Sequence, residues 1–202
     1  MAITDYAGLK SAIATWIARD DLTAYVPDFI VFAEGYINSR LRVRQMEEVA
    51  SLSPTLGVFT LPTDYLQFRK VVMDNGTRYP LAYITPDAAD MKYPTRPDGI
   101  PQHFTIIGGS LYTFPTTDAD IELTYWQGIP ALSDSNTTNW LLTLRPEAYL
   151  RLGCAFASEF IKSDNEAQKQ LALADGIFGQ MEADSNLANY SRAGYTSQGV
   201  TP

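Results

Sequence analysis

One cysteine, one histidine and no long apolar run are the shortages that constrain this 202-residue chain first. A lone Cys154 excludes an internal disulfide and suits a reducing compartment. A lone His103 leaves no second imidazole for a metal cluster, and it lies beside Pro101 in a predicted strand without a nucleophile motif around it. Apolar stretches such as Phe29 to Ala33 fall far short of the roughly 20 residues that a membrane span needs. The opening MAITDYAGLK has no basic segment followed by an apolar core, so the expectation is a product made in the cytoplasm, with no membrane partner.

Positive charge is also scarce. Fifteen Lys and Arg stand against 23 Asp and Glu, a net charge of −8. Residues 1–46 are neutral, 47–130 carry −5, 131–163 are neutral and 164–186 carry −4. A protein that grips phosphates needs a basic surface to release counterions. No segment supplies one, so tight nucleic-acid binding is not expected. Catalytic sets are equally thin. Cys154 lies among Leu152, Ala155 and Phe156 and reads as a small buried apolar residue. Asp118, Asp120 and Glu122 alternate as on a solvated strand face, too close and too parallel to flank a scissile bond. Gly108-Gly109 reads as a turn, not a phosphate loop. The sequence therefore predicts no catalytic residue, no cofactor and no metal, and a protein that is not an enzyme.

What is present is a clear change of period along the chain. Residues 1–46 read as two helices. Tyr6, Leu9, Ile13, Trp16 and Ile17 share one face of the first, which ends around Arg19 to Asp21. The second opens at Pro27, whose missing amide proton suits a first helical turn. Ile30, Ala33, Ile37 and Leu41 form its core stripe, and Phe29, Phe32 and Tyr36 widen it. A helix so apolar around its circumference calls for cover on two sides, part of it from another subunit.

From 47 to 130 the period falls to two. Strands are predicted over 58–61, 68–73, 77–83, 104–107, 111–114 and 121–125, with Asn75-Gly76 as the strongest hairpin signal. Thr85-Pro86-Asp87 predicts an N-cap and a short helix to about Tyr93. Residues 94–101, PTRPDGIP, break both ladders. From 131 to 186 helices return. One begins at Pro146 and presents Tyr149, Leu150, Leu152, Gly153, Phe156, Ala157, Phe160 and Ile161. Another carries Leu171, Ala174, Ile177, Phe178 and Met181. Residues 187–202 have no apolar period and read as a flexible tail. The predicted class is α+β: a helical bundle from both ends of the chain, an inserted small antiparallel β-domain, and the tail.

Three arginines, Arg40, Arg42 and Arg44, end the second helix. Successive members sit about 200° apart on a helix, so only Arg40 and Arg44 are neighbours there. They read either as cations at a helix C-terminus or as salt-bridge donors to an acidic neighbouring subunit. The many aromatics of the β-region, among them Tyr79, Tyr83, Tyr93, Tyr112, Tyr125 and Trp126, leave a carbohydrate- or small-ligand-binding module as the alternative function.

Four blocks resemble the head-tail adaptor (head completion, or connector) proteins of tailed bacteriophages. YVPDFIVFAEGYINSRLRVRQMEE, residues 25–48, resembles that family's second helix, with its AE..IN..LR core. FTLPTDYLQFRKVV, residues 59–72, is similar to its LP.DY strand. Residues 99–133, from GIPQHF to GIPALS, and 139–160, NWLLTLRPEAYLRLGCAFASEF, follow in family order. The tail shows no shared pattern. The resemblance implies a structural virion protein of the neck, an oligomeric and commonly dodecameric ring joining the portal protein to a tail or nozzle protein. DNA would pass through the lumen without specific binding. Candidate subunit-interface residues are Phe32, Tyr36, Arg40, Arg42 and Arg44, and Tyr190, Arg192 and Tyr195 are candidates for a portal-binding tail.

Overall fold

The computed structural model describes residues 3–74, 76 and 78–190, without the side chains of 189 and 190. The described residues divide into two compact units, one within 1–45 and 129–202 and the other within 46–128.

The first unit is helical. Its α1, Tyr6–Ile17, starts where the Asp5 carboxylate accepts the Gly8 amide at 2.7 Å. It stops at Ala18, whose left-handed φ of 52° turns the backbone so that its N–H meets Ala14 O. A 3₁₀ turn over Asp20–Tyr25 leads into α2, Val26–Arg40, with Pro27 in its first turn. The predicted stripe is the buried one: Ile30, Ala33, Ile37 and Leu41 are at most 1% exposed. Each isoleucine there contributes roughly 1.5–3 kcal/mol from lost water contact. Beyond residue 128, Trp140–Leu144 and Pro146–Phe160 are helical, as is Asp164–Tyr190.

Among the described residues the second unit holds eight strands in two sheets and one α-helix. Strands β1 Glu47–Leu52, β8 Ile121–Gln127, β3 Tyr65–Asp74 and β4 Arg78–Pro80 form one sheet in that order. Strands β2 Val58–Thr60, β7 Ser110–Phe114, β6 His103–Ile107 and β5 Ala82–Tyr83 form the other. Phe59, Phe104 and Leu111 from the second sheet meet Val71, Met73, Ile121, Leu123 and Tyr125 from the first in one buried cluster. Helix α3, Pro86–Lys92, is capped as expected by Thr85, whose hydroxyl accepts the Ala88 amide. In chain order the remaining helices are α4 (Trp140–Leu144), α5 (Pro146–Phe160) and α6 (Asp164–Tyr190).

Several expectations need correction. The run 77–83 is not one strand. It changes sheets at buried Leu81, whose amide bonds Val71 O while the Ala82 amide bonds Gln102 O. Pro80 cannot donate to a ladder, which ends β4 there. The β-unit is not wholly antiparallel, because β5 pairs with β6 in parallel. Asp118 and Asp120 precede β8 and do not alternate along it; only Glu122 lies in the strand. Trp16 leaves the buried face of α1 and is 55% exposed. The helix α6 runs through Tyr190, so residues 187–190 are not tail. The 3₁₀ turn and α4 had no clear period in the sequence, being too short to show one.

Candidate subunit interface

Helices α2 and α5 lie side by side, and what they leave uncovered is aromatic. Phe29 faces inward at 2% exposure, whereas Val31 and Phe32, two and three positions on, are 58% and 55% exposed. On α5 the Phe156 ring meets Phe32 edge-on at 5.9 Å and Tyr36 at 6.4 Å. Phe160, 53% exposed, packs on Tyr25 and Phe29 at 5.2 and 5.8 Å. Between them runs an open groove of about 640 Å³, lined by Phe29, Val31, Phe32, Gly35, Tyr36 and the α5 residues Phe156, Glu159 and Phe160, with Ser39 at one end. Apolar rings kept in water at this density are costly for a lone subunit, and such patches mark contact surfaces.

The three arginines do not form one helical patch. The helix ends at Arg40 because Leu41 turns to an extended conformation, so Arg42 and Arg44 lie beyond it and the i, i+4 relation of Arg40 and Arg44 is lost. Arg40 lies 3.5 Å from Asp175 of α6 and over the Tyr36 ring, and the Tyr36 hydroxyl donates to the other Asp175 oxygen at 2.9 Å. Arg42 folds back and donates to the carbonyls of Asn38 and Leu41 at 2.7 and 2.6 Å. It thereby satisfies the open end of α2, the dipole-favoured role for a cation there. The Arg44 backbone amide donates to Ser185 of α6, and its exposed side chain lines a cleft with Arg145, Leu144 and Met181. Phe32 and Tyr36 thus share the groove, Arg40 borders Tyr36, and Arg42 and Arg44 stand apart from it. Of the tail candidates, Arg192 and Tyr195 lie outside the described residues, as does the Tyr190 side chain.

Sequence reasoning missed a buried polar latch on the same helix. Glu34, 6% exposed, accepts the Leu132 amide at 2.7 Å and a long 3.5 Å bond from the Tyr149 hydroxyl. One turn later, Asn38 Oδ1 accepts the Ile129 amide at 2.9 Å. Asn139 caps α4 through Leu142 N, and its Nδ2 donates to Pro130 O and to the Tyr149 hydroxyl. Two α2 side chains at i, i+4 therefore pin the segment 129–132 as it enters the helical unit. Burial pushes the Glu34 carboxyl above its ordinary value, against the opposing pull of the Leu132 amide. Burial drives the Tyr149 phenol up as well. The signal was present in the sequence, since AE..IN, GIPAL and NW are the blocks that carried the family resemblance. Their spacing alone gave no hint of a shared network.

The remaining reactive groups are tied up. His103 takes the Tyr93 hydroxyl at Nδ1, 2.9 Å, with Lys92 Nζ 3.2 Å from Nε2, and burial with that cation lowers its pKa. Cys154 is buried, its thiol pushed up to about 11 by burial, so it is a weak nucleophile near neutrality. The aromatics of the β-unit do not share a platform. Tyr125 lies in the core with its hydroxyl on Asp64, Tyr79 packs against that core, Tyr83 stacks on Phe68, and Tyr93 stacks on Phe114. Trp126 lies under Arg69, which a bulge in β3 directs to Glu47 as well. Among the described residues no group of three or more His, Cys, Asp or Glu is placed to hold a metal ion, and no helix is long and apolar enough to cross a membrane.

No curated protein matches this chain. The family model for the SU10 adaptor protein matches it over residues 4–198, nearly its whole length and through both structural units. That match agrees with the resemblance of the four sequence blocks to phage head-tail adaptors. The chain belongs to the SU10 adaptor protein family.

Proposed function

We propose that this chain is a non-enzymatic structural subunit of the virion neck that assembles into a ring, commonly dodecameric, between the portal protein and a tail or nozzle protein. The helices from the two ends of the chain act as a bundle that forms the ring body, and DNA passes through the lumen without specific binding. The observation that carries this reading is the exposed aromatic groove between α2 and α5. A phage adaptor gains nothing from so much ring surface in water unless another protein covers it. The family match supports the adaptor role, and the net charge of −8 suits a bore along which DNA slides rather than sticks.

Within this reading Phe32, Tyr36 and Arg40 contribute to the contact between subunits, with Arg42 holding the end of α2 in shape and Arg44 available to an acidic neighbour. Tyr190, Arg192 and Tyr195 reach the portal. The test is to mix the purified chain with portal rings and image the products by electron microscopy. A ring of density at one pole of the portal is expected, and it should vanish when residues 187–202 are deleted. Density that persists without residues 187–202 would keep the adaptor role and remove the portal contact assigned to them. A folded chain that adds no density would overturn the ring reading. Arg40→Glu or Arg44→Glu should impair ring formation while leaving the circular dichroism spectrum unchanged; normal rings would remove those residues from the interface.

A further inference from the structure

A ring of identical subunits needs two different, mutually complementary surfaces on each copy, because its contacts are head-to-tail. The groove described above is one such surface, and the reading that follows rests on the ring proposed for this chain. The second surface lies on the other side of α5. At about 100° per residue, Cys154 and Ser158 point some 160–200° away from Phe156. There they line a separate cleft with Trp16, Ile17, Arg151 and Ile161, and Glu166 and Lys169, ion-paired to each other at 3.5 Å, line it too. Trp16 projects beside it, 55% exposed although the apolar pattern of α1 assigned it to the core. The Arg151 guanidinium lies over its indole ring at 4.9 Å and donates to Gln170 at 3.1 Å, with no carboxylate at ion-pair distance among the described residues. The groove has the reverse character. It is concave and ringed by Phe29, Phe32, Phe156 and Phe160, and the single charged residue lining it is Glu159, whose carboxylate has no ion pair among the described residues.

We propose that Trp16 of one copy inserts into the α2–α5 aromatic groove of the next copy, with Arg151 meeting Glu159 across the contact. Three features of the two surfaces single out a second copy as the occupant. The two surfaces lie on opposite sides of one helix, as a head-to-tail contact requires. Arg151 is opposite in sign to Glu159, and the one carboxylate lining the Arg151 cleft, Glu166, is already held by Lys169 and Gln170. An exposed tryptophan on one surface and a groove of phenylalanine rings on the other supply the composition of an interface hot spot, where an indole gains edge-to-face partners as it leaves water.

Cross-linking in assembled rings tests this without touching either the indole or the phenylalanines. In full-length chain carrying Cys154→Ala, Thr15→Cys places a thiol one residue from Trp16 and Ser39→Cys places one at the end of the groove. Rings are assembled on portal and treated with a short bis-maleimide. The double variant should yield a ladder of covalent oligomers, each single variant only monomer, and a mixture of the two single variants dimers. Dimers from Ser39→Cys alone would mean that the groove pairs with itself, which overturns the proposal. Rings seen by microscopy with no cross-link in the double variant would overturn it too, while leaving the ring reading intact. Absence of rings from the parent protein would instead defeat the ring reading. Trp16→Ala, folded by circular dichroism, should weaken assembly by at least about tenfold, and Arg151→Glu with Glu159→Arg should restore much of what either change alone removes. Unchanged assembly by Trp16→Ala would overturn the proposal.

Discussion

Glu34 occupies a position that the apolar stripe of α2 would assign to a hydrophobic residue, with no cation among the groups that shift it. Burial makes the folded chain hold this proton more tightly than the unfolded chain does. Its contribution to stability is therefore full below the ordinary value of 4.5 and is lost as pH rises from there through the raised folded value. Glu34→Gln keeps an acceptor for the Leu132 amide but cannot ionise. The difference in unfolding free energy, wild type minus Glu34→Gln, should fall as pH rises from 4.5 towards neutrality. A flat difference, measured by urea unfolding at several pH values, would place the carboxylate in water. Glu34→Ala removes the acceptor altogether and should cost roughly 1–3 kcal/mol for the stranded amide alone. At Gly153 the argument is steric. A Cβ there would run into Ile13 Cδ1 and sit 3.0 Å from its Cγ1, and Ile13 is fully buried. Gly153→Ala should destabilise by about 1–3 kcal/mol, read from the midpoint of denaturation.

Among the elements, the long helices were legible because each repeats its apolar stripe over several turns. Ile30, Ala33, Ile37 and Leu41 were named from spacing and are buried, and Pro27 and Pro146 open helices as their missing amide protons allow. Short elements were not. Helix α4 has five residues and depends on Asn139 more than on any period. Asn139→Ala loses the cap on Leu142 and both bonds of Nδ2, whereas Thr85→Ala loses one exposed cap on α3. The second should cost about 1 kcal/mol and the first clearly more. Equal losses in urea titrations would show that the Asn139 side chain acts only as a cap. The switch at Leu81 was equally hidden. Residues 77–83 alternate like one strand, and only the partners of Leu81 and Ala82 assign them to two sheets.

For the whole molecule, the division at residues 45 and 128 has a consequence for folding. Every strand of the β-unit pairs within it, and its core draws on both sheets. Residues 46–128 expressed alone should unfold in one cooperative transition and give dispersed amide resonances. A collapsed spectrum would mean that the β-unit needs the helical unit to fold.

The sequence by itself determined the α+β class, the helix–strand–helix order, the net negative charge and the family, because each depends on local period, composition or motif order. It determined the buried stripe of α2 for the same reason. Only the tertiary structure decided which apolar residues stay in water. Phe29 and Phe32 are equally hydrophobic and three positions apart, yet the first is buried with Phe160 of α5 packed on it, and the second stays exposed beside Phe156. It also decided that Glu34, Asn38, Asn139 and Tyr149 act on one segment, and that Trp16 leaves the core of α1. These depend on contacts between residues about a hundred positions apart, and side-chain spacing along one element carries no record of what another element brings to it.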